Sequence, residues 1–218
     1  LRLEKQVTSA PTIEDVETAL GLRERKKIAT KTALYEAAMR LSVAHGYDTV
    51  TVEAIADSAG VSRRTFSNYF ASKEEAMLYG DAMRLHALLD AVAARPEQES
   101  PWTALRGAAR SALRELQRRR RDRDDNLDWL TCARVIRAHP ALLSEQVATF
   151  ASFERLLAAG IEARLPSDDS SPMRARVIAS CFLGALRVGT QSWLDDDSGT
   201  PAVTFIDQAL VEAGKAFP

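Results

Sequence analysis

Apolar residues recur at helical spacing through most of the chain, and no stretch alternates strictly enough to make a half-buried strand. The pattern is clearest from Thr51 to Lys73, TVEAIADSAGVSRRTFSNYFASK. Val52, Ile55, Ala56 and Ala59 repeat on one helical face, Gly60 breaks the run, and Val61 supplies an apolar corner. Ser62 is placed to cap a new helix whose apolar residues are Phe66, Tyr69 and Phe70. Two short helices joined by a tight turn make a helix-turn-helix. The second helix leaves Arg63, Arg64, Thr65, Ser67 and Asn68 on its remaining positions, all groups able to hydrogen-bond base edges or phosphates in a major groove.

A long amphipathic helix is expected before this motif, from about Glu24 to His45, with Ile28, Leu34, Ala37, Ala38 and Leu41 on one side and Gly46 just past its end. Thr51 caps the second helix and Ser62 the third; Ser72, with Glu75 three residues later, forms a capping-box pattern opening a fourth toward Arg95. Residues 1–20, with Pro11 and the acidic Glu14, Asp15 and Glu17, read as a flexible tail. After the loop PEQESP, helices are expected at about Pro101 to Arg121, Asn126 to Ala138, Pro140 to Leu165, Ser171 to Asp195 and Pro201 to Phe217. The breaks fall at DRDD, HP, PSDDSS and DDDSG. The expectation is an all-α chain of about nine helices: a tail (1–20), a three-helix helix-turn-helix domain (21–71) and a larger helical domain (72–218).

Composition narrows this picture. With 218 residues and 46% hydrophobic content the chain can bury a core of good size, which argues against disorder. Its 29 basic and 30 acidic residues nearly cancel, so any affinity for nucleic acid must come from local clustering. Such a cluster lies at Arg23 to Lys31, RERKKIATK, where Arg25, Lys26 and Lys27 are among five basic residues against one acidic. The run Arg118 to Arg121 is followed by Asp122, Asp124, Asp125 and Asp128, a pattern of local ion pairing that calls for no function. Cys132 and Cys181 lack the spacing of a metal site or disulfide framework and read as buried, reduced thiols of a cytoplasmic protein. No run approaches the roughly 18 apolar residues of a membrane span, and the amino terminus lacks the apolar core of a signal peptide, so neither membrane nor export is expected. His45, His86 and His139 are too scattered for a metal site, and no nucleophile–base pair stands out; no metal, cofactor or catalysis is expected.

The segments GLRERKK, AAMRL, the turn His45-Gly46-Tyr47 and TVEAIADSAGVSRRTFSNYFASKEE, spanning about Gly21 to Leu78, resemble the amino-terminal domain of TetR-type transcriptional regulators. The resemblance implies a phosphate contact at Thr51, and a recognition helix opening with Arg63, Arg64 and Thr65 after Ser62. It also implies a backbone contact at Tyr69 and a phosphate-binding Lys73 at a helix terminus already favourable to anions. With Arg25, Lys26, Lys27, Ser67 and Asn68 these residues form the candidate DNA surface. Ser67 stands where many members carry an aromatic residue, so the contact that aromatic makes has no counterpart here.

The same resemblance implies a larger domain that holds a small-molecule pocket and dimerises through its last two helices. Trp102, Leu105, Leu113, Leu116, Trp129, Cys132, Ile136, Phe150, Phe153 and Cys181 are the apolar candidates for lining that pocket. Ala179, Leu183, Leu186, Gly189 and Trp193 on one helix, with Phe205, Ala209, Leu210 and Ala213 on the next, are the candidates for a four-helix dimer interface. The function expected is that of a homodimeric, ligand-responsive repressor of a near-palindromic operator, released by a small lipophilic effector. The alternative is a helical ligand-binding or acyl-handling protein without DNA recognition, which would lack salt-sensitive affinity for any duplex.

Overall fold

A computed structural model describes residues 13–121 and 129–217, with side chains placed for 21–115 and 131–217. Among the described residues there are nine α-helices and no strand: α1 Ile13–His45, α2 Val52–Ser58, α3 Arg63–Tyr69, α4 Lys73–Ala93, α5 Pro101–Arg121, α6 Trp129–Ala138, α7 Pro140–Glu162, α8 Ser171–Leu194 and α9 Ala202–Gly214. A single 3-10 turn, Tyr47–Thr49, links α1 to α2. The first helix starts at Ile13, inside the stretch expected as a tail; residues 1–12 lie outside the described residues. Residues 122–128, which include the expected start of the sixth helix, also lie outside them.

The punctuation follows local chemistry. Thr51 Oγ1 accepts the Ala54 N–H at 3.2 Å, Ser62 Oγ that of Thr65 at 3.0 Å, and Ser72 Oγ that of Glu75 at 3.1 Å, so three helix starts satisfy an otherwise unpaired amide through a hydroxyl. The Glu75 carboxylate reaches back to the N–H of Ala71 at 2.6 Å, completing the box one residue before the cap. Gly60 turns the chain between α2 and α3 with φ +69°, a left-handed conformation that a side chain would strain.

Two cores form. The smaller gathers Leu34, Ala37, Ala38 and Met39 of α1 with Tyr47, Val50, Ile55, Ala56, Phe66 and Phe70, and continues into Ala76, Met77 and Leu78 of α4. It also takes Cys132 and Ile136 from α6 and Leu142 from α7. The boundary between the cores therefore falls inside α4, past residue 71, and the α6–α7 corner is a lid on the amino-terminal core. Ile28, expected on the apolar side of α1, is 46% exposed, because the helix projects beyond this core over its early turns.

The larger core contains Leu85, Leu88 and Val92 of α4, Trp102 and Leu105 of α5, Phe153, Leu157 and Ile161 of α7, Ile178 and Phe182 of α8, and Ile206 and Leu210 of α9. Helices α8 and α9 lie so close that a Cβ on Gly189 would stand 2.6 Å from the Ile206 Cα, a backbone atom that cannot give way. Trp102 fixes α5 to α9 by donating its indole N–H to the Leu210 carbonyl at 3.2 Å and stacking on Phe217 at 4.9 Å.

The far end of α4 is closed by a residue from the end of α7. The Arg164 guanidinium donates to the carbonyls of Val92 at 2.8 Å, Arg95 at 2.9 Å and Pro96 at 2.8 Å, a fan that only its planar fork of donors can supply. Removing it takes a charged donor from all three carbonyls at a partly buried helix end, leaving Val92 and Pro96 with only the backbone amides of Arg95 and Glu99. Arg164→Ala is expected to destabilise the fold by about 2–3 kcal/mol in urea unfolding, and Arg164→Lys to recover only part of the loss; an alanine variant as stable as the parent would show that water replaces the fan without cost.

Candidate nucleic-acid interface

Helix α3 is held from behind by aromatic packing. Phe66 and Phe70 are buried, their rings 5.8 Å apart, and Phe70 meets the Tyr79 ring edge-on at 5.6 Å. Burying a side chain of that size contributes about 1.5–3 kcal/mol, enough to seat a seven-residue helix that would not persist alone. The Lys31 ammonium lies over the Phe70 and Tyr79 rings, at 5.2 and 5.3 Å from their centroids, so this cation of α1 braces the aromatic cluster.

With Phe66 and Phe70 turned inward, Arg63, Arg64, Ser67 and Asn68 are exposed on the opposite face and Tyr69 is half-buried at its edge. Thr65 is half-buried, and its hydroxyl is engaged with Ser62 Oγ at 2.8 Å; these two expected contacts first serve the cap. Thr51 is likewise exposed and engaged as a cap. Arg25, Lys26 and Lys27 are exposed on the projecting turns of α1, where Lys27 pairs with Glu24 at 3.5 Å.

Arg63, the first residue of α3, pairs through Nη1 with Oε1 of Glu53 on α2 at 3.0 Å, the two side chains being 72% and 54% exposed. Glu53 is absent from the sequence-derived DNA surface. The signal available was an acidic residue in the first turn of the preceding helix, ten positions before an arginine that opens the next.

Lys73 sits differently from a lone phosphate contact. Its ammonium donates to the Tyr47 and Val50 carbonyls, each at 3.1 Å, and lies 4.0 Å from the centre of the Tyr47 ring. Two of its three protons thus hold the turn that carries Thr51. Next to it the Tyr47 hydroxyl donates to Glu74. Burial raises the tyrosine pKa and the Glu74 bond raises it further. Burial would also raise Glu74, but hydrogen bonds from Tyr47, its own backbone and Ser72, with the Lys73 charge, outweigh it and hold the carboxyl below its ordinary range.

The apolar residues expected around a ligand do not converge. Trp102, Leu105, Leu113 and Phe153 are buried in the larger core, with Phe150 packed at its edge, whereas Cys132 and Ile136 belong to the amino-terminal core. Cys181, expected to be buried, is exposed on α8. The side chains of Leu116 and Trp129, and the run Arg118 to Arg121, lie outside those described. An open cleft of about 450 Å³ lies between α5 and α9, and its lining is cationic at Arg95, Arg106, Arg110 and Lys215 and apolar at Trp102, Leu210 and Val211.

The expected dimer stripe is also turned. Ala179, Leu183, Gly189 and Leu210 are buried within the protomer, and Leu186, Trp193, Phe205, Ala209 and Ala213 are half-buried, packed on the same core or beside it. They join α8 to α9 and to the core behind. The outward face of α8 carries Met173, Val177, Cys181 and Val188.

Residues 34–78 match the family described as bacterial regulatory proteins, tetR family, and residues 99–218 match the MftR C-terminal domain. The HTH-type transcriptional regulator TcmR of Streptomyces glaucescens is 33% identical over 186 residues, covering 85% of this chain and 82% of TcmR. MftR of Mycobacterium tuberculosis, by name a mycofactocin biosynthesis transcriptional regulator, is 29% identical over 178 residues, covering 80% and 84% of the two chains. Among solved structures, Thermus thermophilus FadR, a transcriptional repressor in complex with lauroyl-CoA, shares the fold at 20% identity with a TM-score of 0.53, over 86% of this chain and 95% of its own.

The Lys73 brace can be tested separately from DNA. Lys73→Met keeps the apolar stem over Tyr47 and removes the donors, taking the ammonium from the Val50 carbonyl and leaving that of Tyr47 with only the Val50 amide. A loss of about 1–3 kcal/mol in urea unfolding is expected, and unchanged stability would mean that the turn is held by its other contacts.

Proposed function

The chain belongs to the TetR family of bacterial regulatory proteins, and we propose that it is a homodimeric transcriptional repressor released from a near-palindromic operator by a small lipophilic effector. The observation that carries the DNA reading is the exposed face of α3. Arg63, Arg64, Ser67 and Asn68 are exposed on a short helix whose opposite side is anchored by Phe66 and Phe70. Arginine at such a position supplies either a bidentate pair to a guanine edge, worth about 1–3 kcal/mol of discrimination, or a phosphate contact without sequence preference.

A two-fold dimer would present two such helices to successive major grooves, roughly 34–36 Å apart. The outward stripe of α8, where Val188 is 50% exposed and Met173 65%, supports pairing there with a second copy. A lipophilic effector is supported by the character of the larger core. Among the described residues the fully buried side chains there are apolar apart from Ser171, so a molecule inserted between these helices meets hydrocarbon. Its effect would pass through α4, which belongs to both cores, and by linkage DNA must weaken effector binding by the factor with which effector weakens DNA binding, typically about 5- to 150-fold.

Two measurements test this reading. Arg63→Ala together with Arg64→Ala is expected to weaken binding to a duplex selected by the parent protein at least tenfold in gel-shift titration while the circular dichroism stays helical; unchanged affinity would remove α3 from the interface. Val177→Glu is expected to turn a dimer into a monomer in light scattering at micromolar concentration, since a charge on a desolvated apolar face cannot be paired; a variant that remains dimeric would place the interface elsewhere.

A further inference from the structure

We infer that Glu53 is a specificity-determining residue of the DNA-reading surface, acting by orienting Arg63 and by withholding it from phosphates. The inference rests on the reading of α3 as the recognition helix and adds an acidic partner to it.

Glu53 lies in the first turn of α2, where the exposed amides of the helix end favour a carboxylate. Arg63 lies at the first position of α3, where the same feature disfavours a cation. The 3.0 Å pair between them draws the guanidinium back from its own helix end and across the turn toward α2. Both side chains remain more than half exposed, so the pair is weak enough to exchange with a competing anion but persistent enough to bias the rotamer of Arg63.

On DNA of arbitrary sequence, a phosphate that recruits Arg63 must either displace the carboxylate or approach beside it, and Glu53 repels the backbone in both cases. The sequence-independent attraction that Arg63 would otherwise supply is thereby largely cancelled. A guanine edge makes a different demand. The guanidinium has five N–H groups in a fixed fork, and Glu53 is paired through Nη1, leaving other donors for a base edge while the carboxylate holds the plane. The pair thus penalises phosphate contact and tolerates base contact, a bias toward reading sequence.

The test compares the parent with Glu53→Gln on two duplexes: one recovered by the parent from a random 30-base-pair library, and a scramble of the same composition. The glutamine variant is expected to bind the scramble about fivefold tighter at low salt, with log K falling more steeply against log salt by about one. The ratio of selected to scrambled affinity should fall about tenfold, the thermal midpoint staying close to the parent's. In an Arg63→Ala background the change in ratio should disappear, because Glu53 acts through that guanidinium. An unchanged ratio and slope, equal loss on both duplexes, or a ratio change that persists in full without Arg63 would each overturn the inference. A parent that enriches no sequence would overturn the DNA reading itself, an outcome distinct from a selective parent and an indifferent glutamine variant.

Discussion

Helix α4 is packed into two cores at once, and the rest of the molecule is arranged around that constraint. Its first turns carry Ala76, Met77 and Leu78 into the amino-terminal core, and its later turns carry Leu85, Leu88 and Val92 into the larger one. Both ends are tied: Ser72 caps the start, Lys73 grips the turn before α2, and Arg164 gathers the carbonyls at the finish. Its 21 residues span roughly 30 Å. Protein interiors pack nearly as densely as organic crystals, so a helix held this way cannot absorb displacement by bending gradually. The turn that carries Thr51 is tied to its first residue, so the two ends of the helix connect that turn to the larger core.

Charge around α3 is set by arrangement. The chain as a whole is nearly neutral, and several of the cations near α3 are engaged: Lys31 with two aromatic rings, Lys73 with two carbonyls, Arg63 with Glu53. Arg64 and the basic turns of α1 are exposed. Only the cations not already held can add fully to salt-dependent attraction for a polyanion, so the engaged ones contribute less to non-specific affinity than their number suggests. The resemblance visible in the sequence carried over residue types, but what each cation holds on to is a matter of geometry. Lys73 illustrates this: its place at a helix terminus suggests a phosphate, while its nearest acceptors are backbone carbonyls.

Helix starts and stops are legible in the sequence because caps and glycine turns are local. Thr51, Ser62 and Ser72 each bond an amide three residues on, and Gly60 adopts a conformation set within its own turn. The orientation of the last helices is less legible because α8 carries two apolar stripes. Ala175, Ile178, Ala179, Phe182 and Gly189 face the core, while Met173, Val177 and Val188 face outward. Small residues at close helix approach suit a partner chain or a neighbouring helix equally, and only the position of α9 against Gly189 decides. Cys132 and Ile136 were expected beside Trp102 for a similar reason: periodicity gives α6 an apolar face but not the core that receives it. They lie on α1 instead, where the Tyr35 hydroxyl donates to the Cys132 sulfur at 3.5 Å.

That placement gives the amino-terminal domain a second attachment, and the second attachment determines what an effector can do. Besides α4, the α6–α7 corner reaches the smaller core through Cys132, Ile136 and Leu142, and His139 lies 4.5 Å from the Tyr47 ring. The two routes are themselves joined, since Gln146 of α7 donates to Asp81 of α4 at 2.6 Å, beside the Asp81–Arg84 ion pair. If both attachments shift together, the amino-terminal domain is carried along and the recognition helices keep their mutual angle. If one moves relative to the other, the domain rotates. Only rotation, or unequal translation across a two-fold axis, alters the spacing that successive major grooves require. Under the proposed function, an effector would have to differ in affinity between states in which α4 and the α6–α7 corner stand in different registers; one that expanded the larger core evenly would leave the exposed face of α3 where it was.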